Sequence, residues 1–200
     1  TSIHSLMVCK MLSTRRIMLR IIVLSSLASI MYYCVNIKAR ESLVFTDFVN
    51  GKPIMVWNYV ADFSNAKQLN PLILDFSITD EHGNYRHWEY SAIYVESLAY
   101  FGTNTGYVHY VVKPLQDSFV INSNHTNCVL FNLYCTTSSS EMHFKSHNVT
   151  SGEETLFDEL ISVDCPIILR SFCIEETKKN RRTWLDNLKH EFTNSAKPFE

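Results

Sequence analysis

Between residues 72 and 163 the apolar side chains recur at every second position, and from residue 164 onward they recur with helical spacing. Trp88, Tyr90, Ala92 and Tyr94 alternate with His87, Glu89, Ser91 and Ile93, while Met142, Phe144 and Ser146 alternate with Glu141, His143, Lys145 and His147. A period of two places each set on one face of a sheet. The strand-like runs fall at 72–79, 87–94, 107–112, 118–123, 128–135, 140–147 and 155–163. Short joints at 81–84, 114–117, 123–127, 136–139 and 148–153 separate them, which predicts an antiparallel meander.

Elements flank this meander on both sides. A strand over 42–49 closes at the turn signal Asn50-Gly51, and Pro53 opens a helix over 53–62. A second helical turn over 64–69 ends before Pro71, because the residue preceding proline avoids helix. Asp164-Cys-Pro166 reads as a helix start with Asp164 as cap, and the helix continues to about Phe192. Ile168, Phe172, Trp184, Leu188 and Phe192 mark its apolar side, and Lys178, Lys179, Arg181 and Arg182 are expected on a solvated face. A curved sheet wrapped around that long helix buries both apolar surfaces, so the expected class is α+β.

The N-terminal stretch poses a separate question. Residues 21–37 carry no charge, with Arg15, Arg16 and Arg20 before them and Lys38 and Arg40 after. Seventeen residues is the lower end of what a spanning helix needs, and Tyr32 and Tyr33 suit a membrane interface. No clean small-residue cleavage site follows, so the run reads as an uncleaved signal anchor. Three preceding arginines against two following basic residues leave the N-terminus cytoplasmic. Two acceptor triplets agree with a luminal or extracellular domain: Asn124-His-Thr126 and Asn148-Val-Thr150. The chain begins at Thr1, so the expectation is either that the true start is missing or that Met7 or Met11 is the initiator. The organisation is therefore a tail over 1–20, an anchor over 21–37, one domain over 41–193 and a tail over 194–200.

Composition removes several classes. A net charge of −2 and a pI near 6.4 give no electrostatic footprint for nucleic acid. Of six cysteines, Cys128, Cys135, Cys165 and Cys173 fall in the folded part, with no CxxC pair. On one strand Cys128 and Cys135 would lie roughly 20 Å apart. On one helix Cys165 and Cys173 would lie about 12 Å apart, against a bridge limit near 7 Å. Sequence neighbours are thus poor partners, and any disulfide is expected to cross between elements. His143 and His147 on a strand are too far apart for one metal ion, and His82 and His87 lack a third partner. No metal or other cofactor is expected. No nucleophile elbow or cysteine-centred signature is present, and Asp158 and Glu159 point to opposite sheet faces.

The order of elements, with Val56-Trp-Asn-Tyr-Val-Ala-Asp-Phe-Ser-Asn65 and Leu69-Asn-Pro71 after the first strand, resembles the START-like superfamily over about residues 41–193. That group includes polyketide cyclase-like, pollen-allergen-like and lipid-transfer domains. The resemblance implies a helix-grip fold with a cavity between the sheet and the C-terminal helix. It also implies binding of a lipid or other apolar small molecule. Trp88, Tyr90, Tyr94, Tyr110, Phe131, Tyr134, Phe144 and Phe172 are the expected cavity lining. Two rival readings stand beside it: a cyclase-like enzyme using one buried acid, and a protein-interaction module whose cavity is filled by its own side chains.

Overall fold

In the computed structural model of the protein, residues 2–98, 102–129, 134–149 and 152–194 are described. The helix α1 (Ser2–Asn36) leads into β1 (Lys38–Asn50), α2 (Pro53–Ala61), a 3-10 turn (Phe63–Asn65) and α3 (Ala66–Leu69). Six strands follow: β2 (Ile73–Asn84), β3 (His87–Leu98), β4 (Gly102–Pro114), β5 (Phe119–Val129), β6 (Tyr134–Val149) and β7 (Gly152–Pro166). A 3-10 turn (Ile167–Leu169) then enters α4 (Arg170–Asn194).

The chain divides into two compact units. One contains α1 through Ala39 together with Pro166–Arg170; the other contains the sheet, α2, α3 and α4 from Ser171. In the first unit, Arg15–Cys34 is long and apolar enough to cross a membrane, and its apolar side chains are exposed. In the second, seven strands form one sheet in the order β1-β7-β6-β5-β4-β3-β2. From β2 to β7 it is an antiparallel meander, and β1 closes the far edge beside β7.

The core forms where α2 and the C-terminal half of α4 cover the inner face of the sheet. Pro53 suits the first turn of α2, where its missing N–H has no intrahelical role. Val56, Trp57, Val60 and Ala61 then fall on one stripe, buried against Tyr90, Val112, Ile121, Phe144 and Phe157. From α4, Leu185 and Leu188 complete the cluster. Asp62 accepts the Ser64 N–H at 2.9 Å and so caps the 3-10 turn that brings Phe63 inside. This is the helix-grip arrangement that the element order predicts, with the period-two alternation holding on both of its clearest strands.

Four local expectations are overturned. The joint at 81–84 is strand: β2 continues to Asn84, and the chain turns at Tyr85-Arg86. Gly83 permits this with φ 106°, because a Cβ there would run into the His87 carbonyl. Residues 123–127 and 136–139 also belong to strands, pairing from Ser123↔Ser140 to Asn127↔Thr136. Their polar side chains look like loop composition, yet cross-strand pairing satisfies the backbone. Asp164 caps no helix; it accepts a hydrogen bond from Thr137 Oγ1 at 2.5 Å while β7 runs on to Pro166.

The cysteine geometry is corrected for the same reason. The run over 128–135 is not one strand: β5 ends at Val129, β6 starts at Tyr134, and Cys128 and Cys135 face each other in the β5–β6 ladder. Their Cα atoms are 4.0 Å apart and they are bridged. Cys165 is the penultimate residue of β7 and Cys173 lies on α4, and the intervening turn brings their Cα atoms to 5.9 Å in a second bridge. Distances along a single element do not apply once the chain reverses, and each bridge does join two elements. Cys34 is free.

Candidate functional site

The inner face of the sheet is graded along its strands. Reading across β3, β4, β5 and β6 gives the rows Trp88–Val112–Ile121–Met142, Tyr90–Tyr110–Ser123–Ser140, Ala92–Val108–His125–Ser138 and Tyr94–Gly106–Asn127–Thr136. The first row is apolar and sits toward α2. The later rows carry hydroxyl, amide and imidazole groups, an unusual lining for a buried surface, because an unpartnered buried polar group costs about 1–3 kcal/mol.

Glu159 borders this polar region from β7, opposite Met142, and its side chain reaches back to Ser140. It projects inward from β7, 1% exposed, while its neighbour Asp158 faces outward to Thr46 and Lys145. Ser140 Oγ and Arg181 Nη2 both donate to Glu159 Oε1. Burial raises the Glu159 pKa, and the Arg181 guanidinium and Ser140 hydroxyl oppose that rise. Its second oxygen, Oε2, is buried without a hydrogen-bond partner. Arg181 thus leaves the solvated face expected for it. It falls on the stripe of Trp184, Leu185 and Leu188, three, four and seven residues on, and its guanidinium lies 4.4 Å over the Trp184 ring.

A second polar chain runs beside this pair. Tyr94 Oη donates to Asn127 Oδ1 at 2.6 Å, and His125 Nδ1 lies 3.4 Å from the same Oη. With the phenol proton committed to Asn127, His125 serves as donor at Nδ1 and accepts from Ser123 Oγ at Nε2, 3.2 Å away. Burial holds the His125 pKa down to about 4, with the Arg181 charge acting in the same direction, so the imidazole is neutral. Burial also pushes the Tyr110 hydroxyl up to about 12 and the Tyr94 hydroxyl upward, the latter reinforced by Glu96. Deeper along β3, Glu96 accepts from Asn104 Nδ2 at 2.9 Å, and burial raises its pKa. Gly106 makes room for the Tyr94–Asn127 bond: a Cβ there would overlap the Tyr94 ring and Asn127 Oδ1.

The expected lining residues are distributed as follows. Trp88 borders a pocket of about 380 Å³ between α2 and the β2–β3 hairpin, together with Trp57, Asn58, Ala61, Tyr85 and Val112. Tyr90 is buried, stacks on Tyr110 at 5.0 Å and donates to the Ala61 carbonyl at 2.7 Å. Tyr94 and Tyr110 flank His125, with ring centroids 6.3 and 6.0 Å away. Phe144 is fully buried against Phe157, and Phe172 on α4 is 49% exposed. Phe131 and the Tyr134 side chain lie outside the described residues, as do the Asn148 side chain and Thr150. Asn124 is exposed on the outer face opposite His109 and Ser139.

The residues that sequence reasoning missed are Ser123, His125, Asn127, Ser140, Glu159 and Arg181. Inward parity for Ser140 follows from Met142 and Phe144 two and four residues on. Ser123, His125 and Asn127 were hidden because polar residues inside a strand read as a joint, whereas Glu159 lay in a recognised strand and Arg181 in a charged helical run, each without a visible partner. On the outer face, Glu89 accepts from His87 and lies near His82 and His109, at 3.4 and 3.7 Å. Among the described residues no group of three or more His, Cys, Asp or Glu is arranged to hold a metal ion.

No protein-family model and no curated protein matches the sequence. Solved structures do match by fold. The Zhui aromatase/cyclase from Streptomyces sp. R1128 superposes with a TM-score of 0.61 at 12% identity, over 80% of this chain and 98% of that one. The di-domain aromatase/cyclase of the steffimycin biosynthetic pathway does so with a TM-score of 0.54 at 13% identity, over 78% and 52%. A protein of Thermus thermophilus gives 0.53 at 11% identity, over 78% and 100%. The chain has the START-like helix-grip fold; identities this low speak to fold alone.

Proposed function

We propose that this helix-grip chain is a membrane-tethered binding or transport domain for a lipid or other largely apolar small molecule that carries a hydrogen-bonding group. The observation that carries the reading is the buried Glu159 Oε2, unpartnered on an inner face that grades from aromatic to polar. A ligand whose apolar body lies along Tyr90, Tyr94 and Tyr110 and whose donor meets Glu159 would satisfy that oxygen. Covalent attachment to α1 keeps the binding domain near the bilayer from which an apolar ligand partitions. The test is native mass spectrometry of the full chain released from nanodiscs. A stoichiometric small molecule, lost in Glu159→Gln, supports the reading. An empty protein whose thermal stability is unmoved by added lipids sinks it.

A second reading, an enzyme of cyclase-like type, is favoured by the same carboxyl. Glu159 is a buried acid with a raised pKa beside the Arg181 cation, which suits a proton-transferring role. It requires turnover that Glu159→Gln abolishes while binding persists.

The luminal or extracellular placement is supported by the two disulfides, which persist in oxidising compartments, and by the triplet whose Asn124 is exposed. Glycosidase treatment of the chain from its native membrane should increase gel mobility, and Asn124→Gln should remove part or all of that increase. A chain with no glycan and reduced cysteines would place the domain in the cytosol.

A further inference from the structure

The apolar part of α1, Arg15–Cys34, is twenty residues, about 30 Å of helix, which matches a hydrocarbon core of about 30 Å. With the span ending at Cys34, Ile37 follows three residues on, so groups packed beside it lie at the hydrocarbon boundary. The segment packed there is Pro166–Arg170, which belongs to the same compact unit as α1. The Ile167 N–H donates to the Ile37 carbonyl at 3.0 Å. The three residues that follow Pro166 are Ile167, Ile168 and Leu169, and they are 51%, 46% and 46% exposed. Three consecutive large apolar side chains, all turned outward, are costly in water and suited to lipid.

We infer that the 3-10 turn Ile167–Leu169 is a second membrane contact, seated in the boundary layer of the bilayer beside the exit of α1. The inference rests on α1 spanning the membrane, because the hydrogen bond to Ile37 is what fixes the turn's depth. The turn supplies apolar surface where the span ends, and the chain continues from it into α4. The occupant of this patch is therefore lipid rather than a protein partner.

The experiment uses the full chain in phosphatidylcholine nanodiscs, with p-benzoylphenylalanine replacing Ile168 and, separately, replacing Tyr107, an exposed residue of the outer sheet face. Irradiation should give phospholipid adducts at position 168 and none at 107. In parallel, resistance to alkaline carbonate extraction reports on α1 alone. A chain that resists extraction yet gives no adduct at 168, or gives adducts only to protein, overturns the second contact and leaves the span standing. A chain that carbonate releases overturns the span and the contact with it. Ile167→Ser/Ile168→Ser/Leu169→Ser tests the same patch without the probe: it should retain carbonate resistance and α4 helicity while losing the protection from protease that the native membrane gives to the Pro166–Arg170 segment.

Discussion

Toward α2, the inner positions of the strands carry Val112, Ile121, Met142, Phe144 and Phe157, closed off by Val56, Trp57, Leu185 and Leu188. Two to six residues further along the same strands, at the same parity, they carry Ser123, His125, Asn127, Ser138 and Ser140. Backbone geometry is shared, so the difference lies in what each half must satisfy. The apolar half is complete once its side chains interlock. The polar half needs each donor matched to an acceptor, and Glu159 Oε2 and Asn104 Oδ1 are left over. Stability should therefore reside mostly in the first region and ligand recognition in the second.

The sharpest attack on that division is Phe157→Ala. Phe157 is fully buried between Phe144 and Trp184, so its loss should lower unfolding free energy by about 4 kcal/mol in denaturant titration. If it unfolds the protein less than changes in the polar half do, the comparison fails. Next comes Arg181→Met, which leaves the Glu159 carboxylate buried without its cation and should cost about 3 kcal/mol at neutral pH. Because the folded Glu159 pKa is raised, the folded state holds that proton more tightly than the unfolded chain. The variant should therefore regain stability as pH falls and lose it as pH rises through the folded pKa. Adding Glu159→Gln should restore most of the loss at neutral pH and flatten the profile.

The smallest effect concerns His125. Its folded pKa of about 4 lies below the ordinary 6.5, so the unfolded chain binds the proton more readily over that interval. The wild-type should lose up to about 2 kcal/mol from this group as pH falls from 6.5 to 4, after discounting for a side chain that is only half-buried by surface area. His125→Asn should remove that component from a pH series of thermal melts; an unchanged profile would mean that the imidazole is solvated.

The two regions were also unequally legible in the sequence. The apolar half announces itself: alternation over Trp88–Tyr94 and Met142–Ser146 sets strand parity, and spacing from Trp184 to Leu188 sets the helix face. The polar half contradicts the pattern that reveals strands, so the stretch Ser123–Asn127 reads as a joint although it is the middle of β5. Arg181 sits in a charged run and is distinguishable only by its phase with Leu185 and Leu188. The disulfides required knowing where the chain reverses, which local spacing does not contain. Asp158-Glu159 was readable as one outward and one inward acid, but not the cation that would meet the inward one.

The close passage of Tyr94 over Gly106 makes those two positions a lock and its keyway. Enlarging residue 106 should be tolerated better when residue 94 shrinks and the Asn127 amide, released from the phenol, swings aside, so Gly106→Ala paired with Tyr94→Leu should recover part of the folding that Gly106→Ala alone impairs. Among natural variants of this chain, a side chain at 106 should accompany a shorter one at 94. Such a pair would exchange the phenol that orients His125 for extra room on the polar inner face, letting the shape of the proposed ligand drift while the strands stay in register.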